Sequence, residues 1–186
     1  MASILSLLLL FTSCLMSVHG RTISSQESHI MLPSEKLESI TNLHFFFHDI
    51  LDGEKATTLK IINPPSESSH GPFGSTYIID NPLTKEQNLS SKLIGRAQGT
   101  YALASQQGDF AFKMDINFIF TEGRYKGSTL TMLGRNVIVN EIREMPIVGG
   151  TGAFRFARGY ALAKTVWYNS TSGNAIEEFN ITISHL

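Results

Sequence analysis

The segment Asp109–Thr121, DFAFKMDINFIFT, decides the fold. Phe110, Phe112, Met114, Ile116, Phe118 and Phe120 recur at every second position, so an extended chain gathers them on one face. Lys113, Asp115 and Asn117 then fall on the other. The turn pair Glu122-Gly123 leads into a second strand over Tyr125–Val139, where Gly127 and Gly134 mark bends or bulges. The same strand–turn–strand pattern continues outward over Leu43–Leu51, Thr57–Ile62, Ser75–Asp80, Lys92–Ser105, Phe154–Trp167 and Ala175–His185, with a further short strand at Glu141–Val148. No segment carries the period of a long amphipathic helix. The fold class read from this pattern is all-β, an eight-stranded antiparallel β-barrel, because closure removes the open edges that no helix is present to cover. Several strands are apolar on both faces: Phe45 and Phe47 oppose Phe46, and Phe154 and Phe156 oppose Ala157 and Ala161. A barrel with a partly apolar exterior is expected to bury it against another copy.

Composition bounds the function. The 186 residues suit one domain, and charged residues make up 17%, below the roughly 25% usual for soluble domains. Fifteen Lys and Arg against 16 Asp and Glu leave a net charge of −1, with no basic excess for nucleic acid. The single cysteine, Cys14, lies in the apolar run Ile4–Val18, which is short for a membrane span and suits a secretory signal cleaved near Gly20. Residues 1–20 are therefore expected to be a signal peptide, 21–42 a mobile leader with a helical turn around Glu35–Ile40, and 43–186 the barrel domain. Loss of Cys14 with the signal removes disulfides, thiolate catalysis and thiolate metal sites together. The sequons at Asn88, Asn169 and Asn180 agree with export as a glycoprotein; Asn169 sits in a polar turn, whereas Asn180 falls in a strand-like run.

The remaining chemistry is sparse. His44 and His48 stand four apart, but in a strand-like run without the HExxH pattern, so no metal site is expected. No GxSxG surrounds any serine. Val148–Gly152, VGGTG, lacks both the following helix and the GKS or GKT of a phosphate loop, and reads as a sharp strand connection. The polar, Pro-bounded loop Pro64–Pro72 is expected over a barrel mouth. Asp49 shares the parity of Leu43, Phe45 and Phe47, which places a carboxylate on an aromatic face. Desolvation would raise its proton affinity and suit a general acid; alternatively it opens a turn with Asp52-Gly53 and binds local backbone. Arg143, Arg155 and Arg158 offer planar donors for a phenolate or carboxylate, or structural salt bridges. Tyr101 either donates to a ligand oxygen or packs the interior.

Read in order, HDI at His48–Ile50, FG at Phe73-Gly74, DNPLT at Asp80–Thr84 and GRAQGTY at Gly95–Tyr101 resemble the plant dirigent family. So do EGRYKGSTL at Glu122–Leu130, GRN at Gly134–Asn136, REMPIVGGTGAFRFARGYA at Arg143–Ala161 and the closing EEFNITISHL. The resemblance implies a secreted, apoplastic barrel with an aromatic-lined cavity, commonly trimeric, without a cofactor or oxidising centre of its own. A laccase or peroxidase would generate phenoxy radicals from a monolignol such as coniferyl alcohol. The barrel would then impose stereoselectivity on their coupling in lignan and phenylpropanoid metabolism. By the same resemblance Asp49 is the cavity acid that protonates a quinone-methide oxygen, Arg143 a cavity arginine, and Tyr101, Asn136 and Phe47 substrate contacts.

Asn136 is a departure, since lignan-forming members of the pinoresinol type carry a second Asp there, and Asn cannot deliver a proton as an acid. HDILDG is also one residue shorter than the HDILYDG of that type. Both departures weigh against pinoresinol formation. REMPIVGGTG and ARGYALAKT are closer to pterocarpan-synthase-like members, which dehydrate an isoflavanol through a quinone methide. Three functional classes therefore stand open: a stereocontrolling auxiliary to an oxidase, a quinone-methide cyclase or dehydratase acting alone, and a non-catalytic phenol-binding or wall-associated barrel.

Overall fold

The computed structural model describes residues 38–64 and 71–186. Nine strands follow one another: β1 (Ser39–Asp49), β2 (Thr58–Ile62), β3 (Thr76–Thr84), β4 (Leu93–Leu103), β5 (Ala111–Phe120), β6 (Thr129–Val137), β7 (Arg143–Thr151), β8 (Arg158–Tyr168) and β9 (Ala175–His185). Each pairs antiparallel with its neighbours in the order β1-β9-β8-β7-β6-β5-β4-β3-β2. A β1–β3 pairing, Phe46 opposite Thr84 and Phe47 opposite Leu83, closes β1 and β3–β9 into an eight-stranded barrel. That seam is short. The β1–β9 ladder, in contrast, runs unbroken from Ser39–His185 to Asp49–Ala175.

Strand membership differs from the expectation in an instructive way. Thr58–Ile62 lies outside the cylinder, bonded to β3 as a ninth strand, while the short candidate at Glu141–Val148 is a full stave, β7. Periodicity identifies both as strands; which neighbour completes the ring depends on pairing, which periodicity does not report. The expected helical turn around Glu35–Ile40 gives way to strand at Ser39 and Ile40, because β9 extends far enough to pair with them. The barrel thus begins four residues before Leu43. The signal peptide, the leader up to residue 37 and residues 65–70 of the Pro64–Pro72 loop lie outside the described residues. Strand β7 continues through Gly149 and Gly150, and the sharp connection falls one step later, in a single 3-10 turn at Gly152–Phe154.

The interior follows from parity. Phe112, Met114, Ile116, Phe118 and Phe120 of β5 point inward as the alternation requires, but Phe110 precedes the strand and is exposed. Phe45, Phe118 and Phe179 form a triangle, Phe45 stacked on Phe179 at 5.8 Å and both meeting Phe118 edge-on at 5.3 and 5.5 Å. Each such pair is worth about 0.5–1.5 kcal/mol beyond its area burial. Phe120, Tyr125, Phe154 and His185 extend the cluster to one end of the barrel. Room for these rings comes from small inward residues: Gly95, Ala97 and Gly99 on β4, and Gly159, Ala161 and Ala163 on β8. A Cβ at Gly95 would sit 2.1 Å from the Ile119 carbonyl oxygen, so the close β4–β5 approach requires glycine there.

Large apolar side chains remain on the outer surface, among them Ile61, Ile62, Ile78, Leu133, Tyr160 and Trp167, each at least 40% exposed. Among the described residues no helix is long and apolar enough to cross a membrane.

Candidate functional site

The end of the barrel opposite the aromatic cluster is polar. Asp49 ends β1, and Tyr101, Asn136 and Thr165 lie near the ends of β4, β6 and β8. Tyr77, Phe112, Arg143 and Glu177 lie near the starts of β3, β5, β7 and β9. Because consecutive strands alternate in direction, all eight positions meet at the same end, and all have inward parity. The sequence-predicted residues Asp49, Tyr101, Asn136, Arg143 and Phe47 are thereby drawn into one region from four strands.

Asp49 is not a turn residue. Its Oδ1 accepts hydrogen bonds from the Thr58 hydroxyl and from Asn81 Nδ2 at 3.0 Å, and its Oδ2 accepts one from the Tyr101 hydroxyl at 2.9 Å. Thr58 belongs to β2, so the strand outside the cylinder supplies one wall of the acid's cradle. Asn81 is completely buried and receives the Thr57 hydroxyl on its own Oδ1 at 2.5 Å, which fixes the amide so that its NH2 faces Asp49. Burial raises the proton affinity of the Asp49 carboxyl above the ordinary carboxylate range; the bonds from Thr58, Tyr101 and Asn81 oppose the rise without cancelling it. Burial and the facing Asp49 charge push the Tyr101 phenol upward, so it stays a neutral donor. Tyr101 stacks on Tyr77 at 4.8 Å and meets Phe112 edge-on at 5.3 Å.

A second polar group faces this cradle. Arg143 Nη1 donates to the Thr165 hydroxyl at 2.9 Å, and its Nη2 lies 3.0 Å from Glu177 Oε1, too poorly aligned to count as a full hydrogen bond. The Arg143 side chain is 2% exposed and its Nε has no acceptor. Burial raises the Glu177 carboxyl, Arg143 lowers it, and the Asp49 charge raises it further. Asn136 is buried beside Met114, its Nδ2 3.9 Å from the sulfur and its Oδ1 without a partner. Phe47 is buried below Asp49 and tilts against Phe179 at 5.8 Å. Depressions of about 270, 390 and 400 Å3 on the molecule are lined by other residues.

The remaining candidates lie elsewhere. Arg155 is exposed, and Arg158 makes an exposed fork with Glu38 at 2.7 and 2.8 Å. His44 contacts Glu178 on the surface, while His48 is buried and bonded to Thr84 at 2.7 Å. Asn88 and Asn169 occupy exposed turns, where their Oδ1 atoms accept local backbone N–H groups. Asn180 is exposed on the outer face of β9, between His44 and Leu162.

Sequence reading missed Thr58, Asn81 and Glu177. For Glu177 the signal was present: it shares parity with Phe179, Ile181 and Ile183, which places it inward as firmly as Asp49 is placed by Phe45 and Phe47. Asn81 likewise alternates with Ile79 and Leu83. Thr58 carried no such signal, since its role depends on where an edge strand docks.

A family model described as Dirigent-like protein matches residues 40–184. Dirigent protein 21 of Arabidopsis thaliana is 44% identical over 187 residues, covering 97% of this chain and 98% of that protein. Pterocarpan synthase 1 of Glycine max is 45% identical over 150 residues, covering 80% of each. A solved structure of a pterocarpan synthase dirigent protein superposes with a TM-score of 0.75 at 42% identity, over 80% of this chain and 86% of that one.

Proposed function

Because this chain belongs to the dirigent family, we propose that its barrel controls the stereochemical course of a reaction of phenolic intermediates, with Asp49 as the acid at the reacting oxygen. One observation carries the reading: a carboxyl group held inside the barrel by three donors from three strands, in surroundings that favour its protonated form. A quinone methide is electrophilic at carbon because its carbonyl oxygen draws electrons, and protonation of that oxygen promotes attack by a nucleophile. An acid fixed on one side of an aromatic-walled space delivers the proton to a substrate held in one orientation, so one face is attacked. Tyr77, Tyr101 and Phe112 supply flat walls for a phenolic ring, and Phe47 is the nearest candidate floor.

The substrate we place first is a pair of phenoxy radicals from a monolignol such as coniferyl alcohol, produced by a separate laccase or peroxidase and coupled stereoselectively. Isoflavanol dehydration and cyclisation, without an oxidase, is the second reading. It is supported by the pterocarpan synthase relatives and by Asn136, which leaves Asp49 without the second aspartate of the pinoresinol type. We place the protein outside the cell, glycosylated at Asn88 or Asn169, which lie in exposed turns. The exposed apolar outer residues support a homo-oligomer, with a trimer favoured.

The test incubates each phenolic substrate with the protein, with and without laccase, and measures enantiomeric excess by chiral chromatography. Excess only with laccase supports the first reading; turnover without it supports the second. Racemic product at unchanged yield in every arm would leave a phenol-binding barrel as the remaining function.

A further inference from the structure

The described chemistry provides a proton donor for the quinone-methide oxygen but no acceptor for the proton that an attacking hydroxyl must lose. Glu177 is a second inward carboxyl at the same end of the barrel as Asp49. In the β1–β9 ladder Asp49 lies opposite Ala175, and Phe47 opposite Glu177. The two inward carboxyls are therefore diagonal neighbours on adjacent strands, with Cα atoms about 7–8 Å apart. Glu177 Oε1 is held by Arg143, whose other amino nitrogen is pinned by Thr165, directly across the β8–β9 ladder from Glu177. Among the described residues, Oε2 accepts no hydrogen bond. A side chain 13% exposed, with one oxygen anchored and the other free, is built to receive something from the barrel interior.

We infer that Glu177 is a second catalytic residue, the base that accepts the proton of the hydroxyl adding to the quinone methide. The inference rests on the quinone-methide reading above and deepens it. The hydroxyl oxygen bonds to the methide carbon while its proton passes to Glu177 Oε2; the exocyclic C=C pair moves into the ring, and the former carbonyl oxygen takes the proton of Asp49. The product is a neutral phenol ether, Asp49 is left ionised and Glu177 protonated, and one proton transfer between them restores the site. No oxidant or reductant is consumed. The same step closes the ring whether the quinone methide arises by radical coupling or by dehydration.

The groups facing Glu177 are Arg143 from β7, Thr165 from β8, Asp49 from β1 and Tyr101 from β4. Burial raises the proton affinity of Glu177 above that of a surface carboxylate, which makes it a stronger proton acceptor, and Arg143 opposes the rise.

The experiment uses the full-length protein and a quinone-methide precursor carrying an internal hydroxyl, beside an analogue with that hydroxyl methylated and an external thiol as trap. Glu177→Gln retains a carbonyl for Arg143 and should lose cyclisation by about 10²-fold or more, the contribution typical of a positioned base. Its Asp49-dependent consumption of the methylated analogue should persist. Glu177→Ala should regain cyclisation in proportion to added formate, a rescue that a merely structural partner of Arg143 would not show. Cyclisation by Glu177→Gln at the wild-type rate, or formate-independent loss in Glu177→Ala, overturns the role of Glu177 and leaves the function proposed above standing. If the wild-type protein alters neither precursor nor analogue, the quinone-methide reading fails and Glu177 falls with it.

Discussion

Replacing Asp49 separates its chemical role from its structural one. In Asp49→Asn the new Oδ1 still accepts from Thr58 and from Asn81 Nδ2, and the new NH2 faces the Tyr101 hydroxyl, which can turn from donor to acceptor. The fold should survive intact. In Asp49→Ala the Thr58 hydroxyl can redirect to Asn81 Oδ1, already 3.0 Å away, but Asn81 Nδ2 and the Tyr101 hydroxyl lose their acceptor. Each buried donor left unpaired costs about 1–3 kcal/mol, so the alanine variant should be less stable by roughly 2–6 kcal/mol, the low end applying where water enters. For a domain of this size each kcal/mol corresponds to about 2–4 °C in Tm. The sign with pH also differs. The folded protein holds the Asp49 proton to higher pH than the unfolded chain, so Asp49 contributes stability in acid that is lost as pH rises through its folded value. Wild type should therefore lose ground to Asp49→Asn as pH rises from about 4, the ordinary carboxylate value, toward neutrality. Thermal melts by circular dichroism at several pH values, paired with the chiral assay, measure both. An asparagine variant that keeps full enantiomeric excess would refute the acid role. An alanine variant as stable as wild type would refute the energetic account of the cradle.

Other perturbations follow from the same geometry. Phe45→Ala opens a cavity in the aromatic triangle and should cost about 3–5 kcal/mol in chemical denaturation; a loss below 1 kcal/mol would mean that the interior collapses around the gap. Arg143→Met leaves the Glu177 carboxylate buried without its cation and should cost about 3–5 kcal/mol, most of it recovered in Arg143→Met/Glu177→Gln. Equal stability of the single and double variants would show that the pair is not coupled. The Thr84 hydroxyl donates to the Glu86 carbonyl at 2.6 Å, so the hydrogen on His48 Nε2 points to Thr84, beside the short β1–β3 seam. Burial lowers the proton affinity of His48, so its contribution to stability is present above about pH 6.5 and declines as pH falls through its folded value. His48→Gln should flatten that acid limb in melts between pH 7 and 5; an unchanged limb would place the sensitivity elsewhere.

The sequence by itself determined the all-β architecture, since period-two alternation in Asp109–Thr121 and in Ala175–His185 has only one regular backbone that satisfies it. It also determined which side chains face inward, because parity along a strand is fixed once one buried residue is known. Asp49 was legible on that ground, Tyr101 and Arg143 as candidate donors, and Asn136 through the motifs that carry the family resemblance. Glu177 was equally legible by parity, though its chemistry gained meaning only beside Arg143. Tertiary structure alone decided which strands close the ring, why Thr58–Ile62 stays outside it, and how Thr58, Asn81 and Tyr101 converge on one carboxyl from three different strands. The physical reason is one of range. Alternation is a local property, settled within a few residues. The partners of a buried charge are separated from it by 9, 32 and 52 positions and are set by register across the sheet, which only the closed barrel fixes.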